Sequence, residues 1–136
     1  MAISKAFTIE NTVVTVNGRA IEDWGQQDPA FEDEPIDQKR TLIRGQGGNC
    51  TVLERKNAGR RIRLYLMAGS ADSAYLHSLY MTGAVLTISR NQVGAVNGAI
   101  ATEAIIVQEE AVTRAGSTSI SDDVYVIEAN DWDEIR

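Results

Sequence analysis

A mainly β fold, a sandwich or barrel flanked by one α-helix, is what the sequence predicts. Three observations carry this. Short stretches rich in β-branched and aromatic residues recur along the chain, with turn residues between them about every 8–12 positions. Between Arg60 and Leu66 the apolar residues alternate: Ile62, Leu64 and Leu66 fall on one face, Arg61, Arg63 and Tyr65 on the other. That period of two marks a strand with one buried face. Only one segment changes to helical spacing, where Leu76, Leu79 and Tyr80 stand at i, i+3 and i+4.

That helix has its own punctuation. Ser70, Asp72 and Ser73 are caps in front of it, and Gly83 suits a left-handed stop behind it. Ahead of it, Ala6 to Ile9 and Val13 to Val16 read as strand, and Asn17-Gly18 is a type I′ hairpin signal with Arg19-Ala20-Ile21 returning. Glu22 to Gln38 reads as a long acidic loop, broken by Gly25, Pro29 and Pro35. Trp24, Phe31 and Ile36 within it imply that it packs on something. Lys39 to Arg44 and Cys50 to Arg55 read as strands around the Gly45-Gln-Gly-Gly48 turn, with Asn57-Ala58-Gly59 leading to the alternating strand. Beyond the helix, Ala84 to Arg90, Ala99 to Glu109 and Asp123 to Ala129 read as strands, Ala115 to Ser119 as a loop, and the last six residues as a polar tail.

The chain has 136 residues, the size of one domain able to bury a core without staples. No apolar run reaches a membrane span, and Met1 to Lys5 opens no signal peptide, so the expected setting is a cytoplasm, with no membrane anchor. One cysteine, Cys50, excludes an internal disulfide and a multi-cysteine metal site. A net charge of −6 argues against a general nucleic-acid binder.

Charge is nevertheless segregated. Glu22, Asp23, Asp28, Glu32, Asp33, Glu34 and Asp37 form an acidic block without a base, whereas Lys39 to Arg63 holds eight bases and a single acid, Glu54. The two blocks can pair within one chain or meet on neighbouring copies, in the manner of a head-to-tail assembly.

No catalytic constellation emerges. His77 is the only histidine, without a second for a zinc set or triad, and reads as a surface or structural residue. Cys50 reads as a small, half-buried strand residue. The glycine turn lacks the Lys-Ser/Thr of a phosphate loop and is followed by a strand. The pairs Asp122-Asp123 and Glu109-Glu110 and the trio Asp131, Asp133 and Glu134 lack calcium-loop spacing and read as solvated strand ends. The basic run Arg55, Lys56, Arg60, Arg61 and Arg63 has little aromatic interleaving and reads as a partner-facing patch. No enzyme activity, cofactor or metal is expected.

Residues 40 to 81, RTLIRGQGGNCTVLERKNAGRRIRLYLMAGSADSAYLHSLYM, resemble the tail tube protein of contractile-tailed bacteriophages. The order is strand, glycine turn, strand, charged turn, alternating strand, then a Ser-capped helix with Leu76 and Leu79; it departs at Gly47, where an acidic residue is often found. The likeness extends more loosely over Ala6 to Asp131. It implies a β-sandwich or barrel with one helix, in which six copies close a ring whose inner strands form a continuous barrel. Rings would stack into a hollow tube within a sheath, joined to terminator and baseplate hub proteins. That tube conducts DNA without binding it and is driven through the host envelope. The chain would belong to the virion tail, assembled in the bacterial cytoplasm. The tube protein of type VI secretion shares the fold, and a tailocin would use the same part. A small β-barrel enzyme or binding module using the acidic clusters is the rival reading.

The resemblance matches Glu22 to Gln38 to a loop reaching the next ring. The expected contacts are Glu22, Asp23, Trp24, Asp28, Phe31, Glu32, Asp33, Glu34, Ile36 and Asp37, against a basic patch of Arg55, Lys56, Arg60, Arg61 and Arg63 on the next copy. Glu54, Glu103, Glu109, Glu110 and Glu128 are candidates to line the bore. Each exposed charge pair contributes only about 0.2–1 kcal/mol, so repetition and the apolar anchors would carry the stack.

Overall fold

The structure, a computed structural model, describes residues 9 to 136. The strand expected over Ala6 to Ile9 falls outside them, except for Ile9, which opens a 3-10 turn (Ile9–Asn11). Strands β1 (Thr12–Val16) and β2 (Arg19–Ala20) flank Asn17 and Gly18, whose φ values of 51° and 83° are those of the type I′ turn the sequence signals.

Within the acidic segment read as loop, Phe31–Pro35 forms a strand, β3. Its composition opposes this, but its partner explains it. It pairs antiparallel with β6 (Arg60–Leu66), which sets Glu32 opposite Arg63 and Glu34 opposite Arg61. Between them, β4 (Arg40–Arg44) and β5 (Cys50–Glu54) pair only with each other. Helix α1 (Ala71–Thr82) starts at Ser70, whose Oγ accepts from the Ser73 N–H at 3.2 Å, and stops at Gly83 with φ 67°. Strands β7 (Leu86–Gln92), β8 (Gly98–Glu109) and β9 (Asp123–Ala129) follow. The tail contributes a short strand, β10 (Asp133–Ile135), which the sequence does not reveal.

The main sheet runs β2-β1-β7-β8-β9-β6-β3, all antiparallel. β9 and β10 share one edge of β8, β9 along Ala104–Glu109 and β10 along Gly98–Ile100. At the break between them, the Asp131 carboxylate accepts from Glu103 N at 2.8 Å and from Thr102 N at 3.0 Å.

The sheet curls but does not close. Arg90 of β7 reaches Asp33 of β3 at 3.5 Å although three strands separate them, and lies over the Phe31 ring at 5.7 Å. Side chains bridge that seam, and β2 and β3 remain edges of the sheet. Of the sandwich or barrel expected from the sequence, one chain therefore supplies an open, curled sheet with one helix.

One face of the sheet and α1 enclose the core. Val14, Val16, Ile62, Leu64, Leu66, Leu76, Leu86, Ile88 and Ile127 are fully buried, with Tyr75, Leu79 and Tyr80 packed against them. Each large aliphatic side chain so buried contributes about 1.5–3 kcal/mol.

Candidate assembly interface

The opposed charge blocks meet in part inside the chain, through Asp33 and Glu34. Arg60 binds Asp33, Arg61 lies 3.4 Å from Glu34 and 3.6 Å from Glu128, and Arg63 binds Glu110. The reason is the β3–β6 register, which lays an acidic strand along a basic one. The apolar residues of the acidic segment are also engaged by their own chain. Trp24 forms a bridge to Leu66 and, with Phe31, packs on the core; Ile36 closes over Gly59. Glu32 is half-buried and accepts from Tyr65 Oη at 3.4 Å. Glu22, Asp23, Asp28, Glu34 and Asp37 are exposed, as are Arg55 and Lys56.

A buried carboxylate fixes where this segment begins. Asp72, in the first turn of α1, accepts from Arg19 Nε at 2.9 Å, Glu22 N at 2.8 Å and Asp23 N at 3.0 Å. Burial pushes its carboxyl up, but the two backbone N–H groups and Arg19 outweigh that and hold it below the ordinary aspartate value. Asp122 plays the same part further on, accepting from Gln26 N and Gln27 N at 2.8 and 2.9 Å. Beneath the helix, Ser73 Oγ donates to Asp123, which also binds Arg114, and Tyr125 Oη donates to the Ser73 carbonyl at 2.9 Å. Burial pushes the Tyr125 phenol up, against the Ser73 hydrogen bond.

The five bore candidates do not share one surface. Glu103, Glu110 and Glu128 lie on the sheet face turned away from α1. Glu109 instead reaches His77 on the helix, and Glu54 sits on β5, 3.1 Å from Arg40. His77 is exposed, as expected. Cys50 is exposed, not half-buried, because β5 pairs with β4 alone and the hairpin they form lies off the main sheet. The carboxylate clusters are drawn to separate partners, and among the described residues no group of three His, Cys, Asp or Glu stands close enough to hold a metal ion. A cleft of about 800 Å³ lies at the open seam, lined by Trp24, Phe31, Asp33, Arg90 and Glu134 among others. Two of its three carboxylates, Asp33 and Glu134, are held by arginines, Glu134 at 3.3 Å from Arg90, while the third, Asp28, is exposed.

The surface that sequence reasoning missed is the β4–β5 hairpin. Every residue from 34 to 56 is exposed, including Leu42, Ile43, Val52 and Leu53, each at 50–56%. The strands were legible; their isolation was not. The available signal was charge. Five of the chain's 13 bases (Lys39, Arg40, Arg44, Arg55 and Lys56) lie here with one of its 19 acids.

The architecture is that of tube and tube-terminating proteins of contractile injection systems. The anti-feeding prophage cap, its tube terminating cap, superposes with a TM-score of 0.62 at 13% identity, over 98% of this chain and 93% of that one. The PVC sheath/tube terminator of an extracellular contractile injection system, in the extended state, gives 0.62 at 11%, over 98% and 99%. Hcp1 from Flavobacterium johnsoniae gives 0.54 at 15%, over 90% and 93%. No family model and no curated protein sequence matches the chain.

Proposed function

We propose that the chain is a structural subunit of a contractile injection machine, which closes into rings around a hollow bore. The observation that carries this is the shared fold, spanning 98% of this chain and at least 93% of two tube terminators. The open sheet supports it, since ring closure would supply neighbours for its edges β2 and β3, which otherwise invite aggregation. In the finer reading the machine is a bacteriophage tail. Six copies form each ring, the inner sheets join into one barrel, and the rings stack inside a sheath between baseplate hub and terminator. DNA passes through on its way from the virion to the host. The acidic charge of the chain suits that passage, because it repels phosphate. No chemistry is assigned to the subunit.

Negative-stain electron microscopy of the full chain over a concentration series tests this. Rings or hollow tubes are expected. Stacked tubes mark a tube subunit, and rings that stay single mark a terminator. Monodisperse monomers at every concentration would overturn the reading and turn attention to the seam cleft as a binding site. Filled versus empty lumens in particles isolated with DNA separate a phage tail from a tailocin or a type VI device.

A further inference from the structure

The cleft at the open seam joins aromatic rings to side-chain amides. Trp24 and Phe31, both half-buried, supply its aromatic lining. Gln92, only 6% exposed, lies deepest, and its Oε1 accepts from Thr12 Oγ1 at 2.8 Å. Asn97 Oδ1 accepts from Arg90 Nη1 at 2.7 Å. On the rim stand the exposed side chains of Gln26, Gln27 and Asp28. The backbone N–H groups of both glutamines are held by Asp122, so the chain itself sets this part of the rim in place.

Charge narrows the choice of ligand. Asp33 and Glu134 both face Arg90, and Glu134 also binds Arg136. A strongly charged ligand would compete with pairs already made. Asp28 alone among the cleft carboxylates has no ion pair among the described residues, and it lies in solvent at the rim. Hydrogen-bonding capacity is what stays on offer. The guanidinium of Arg90 has N–H donors in excess of its partners. One goes to Asn97 and another to Glu134 at 3.3 Å, while the Nε N–H has no hydrogen-bond partner among the described residues, with Asp33 3.5 Å away. The amides of Gln27 and Asn97 place donors beside acceptors, and a paired carboxylate keeps lone pairs. A sugar ring has the matching chemistry. Its C–H face stacks on the negative face of an aromatic ring, and its hydroxyls both donate and accept. At about 800 Å³ the cleft has the size of a small-molecule site.

We propose that the seam cleft binds a neutral oligosaccharide, stacked on the aromatic lining and hydrogen-bonded to Gln27, Asn97 and Arg90. All these groups belong to one chain, so the site stands or falls apart from the ring-forming role.

Titration of the full chain with chitotriose, cellotriose and maltotriose tests it, read by tryptophan fluorescence and by the side-chain amide signals in the NMR spectrum. At least one of them should saturate with a Kd of about 1 mM or tighter, moving the signals of Gln27 and Asn97. Two variants locate the site. Gln27→Ala removes an exposed amide, and Asn97→Asp keeps an acceptor for Arg90 while losing the amide donor. Both should fold as wild type does, as judged by melting, and each should weaken the sugar about threefold or more. Spermidine is the cationic control, and it should not displace the sugar. Spermidine that binds where none of the three sugars does, and binds more tightly to Asn97→Asp, overturns the proposal in favour of a cation site. No saturation by any of the sugars at about ten times that concentration overturns it, as does a sugar that binds wild type and both variants equally.

Discussion

The carboxylate of Asp122 occupies the space where a side chain on Gly25 would begin: an added Cβ would lie 2.4 Å from Asp122 Cγ. The carboxylate cannot easily retreat, because it accepts hydrogen bonds from the N–H groups of Gln26 and Gln27. Gly25→Ala is therefore expected to cost about 1–3 kcal/mol, through a lost pair of hydrogen bonds or through overpacking. A lower midpoint of urea unfolding at unchanged slope would show it. In the double variant with Asp122→Ala the glycine substitution should cost much less. Additive costs would mean that the two residues do not meet.

Asp72 gives the fold a defined acid response. Its carboxyl is held below the ordinary aspartate value of 3.8 in the folded chain, so the stabilisation it supplies is complete above that value. It is lost as pH falls through the lower, folded-state value. Asp72→Asn should thus destabilise by about 1–3 kcal/mol at neutral pH, with the gap to wild type constant down to about pH 5 and closing below about pH 4. Thermal melting of both proteins across that range is the measurement. A gap of the same size at pH 2.5 and pH 7 would refute the assignment.

The seam of the curled sheet depends on Arg90. It lies close to both Asp33 and Glu134, and the three side chains are only 13–15% exposed. Each carboxylate has a second base, Arg60 for Asp33 and Arg136 for Glu134, so neither is abandoned when Arg90 goes. Arg90→Met, which keeps the stem, is expected to cost about 1–3 kcal/mol, below the loss usual for a buried pair stripped of its only partner. Combining it with Arg60→Met leaves Asp33 with only the weaker pull of Arg136. The double variant should then lose more than the sum of the single losses, as read by calorimetry.

What was legible in the sequence follows the same physics. Period-two alternation in Ile62, Leu64 and Leu66 identified β6 because local pattern and burial agree there. Ser70 and Gly83 bounded α1 for the same reason, each meeting a backbone need at the position itself. Phe31–Pro35 was not legible as a strand, since three acids and a proline oppose it; only the basic strand beside it, about 27 residues on, makes it favourable. Asp133–Ile135 likewise owes its strand to β8. Apolar content alone also misled for Leu42, Ile43, Val52 and Leu53. They have the composition of core strands, and nothing local distinguishes an apolar residue covered by its own chain from one left for another.

Gly83 carries the end of the helix at φ 67°, donating its N–H to the Leu79 and Tyr80 carbonyls, with open space where a side chain would project. Its contribution is then conformational only. Gly83→Ala should cost about 1 kcal/mol and Gly83→Asn less, because asparagine tolerates the left-handed region. Equal melting temperatures for the alanine and asparagine variants would argue that the cap geometry is not what holds the helix end.

Under the ring-forming role proposed above, the hairpin should offer the sharpest contrast between a free subunit and an assembled one. Its backbone is held by the β4–β5 pairing and by turn and end bonds such as Gly45 N to Asn49 O at 2.7 Å and Arg55 N to Lys39 O at 2.8 Å, all of them exposed to solvent. The amides of Ile62, Leu64, Tyr125 and Ile127 sit in paired strands over a buried core. Local opening of the hairpin exposes almost no further apolar surface, so it should open independently of the core. In dilute monomer, hydrogen exchange over residues 40–54 is expected to be complete while β6 and β9 remain protected by about two orders of magnitude or more. On raising the concentration into the assembling range, protection should spread to both hairpin strands together, because cover on either face alone would leave the pairing free to open towards the other. Protection of the hairpin in the monomer equal to that of β6 would show that it is stable unaided, and its apolar faces would then need no second copy.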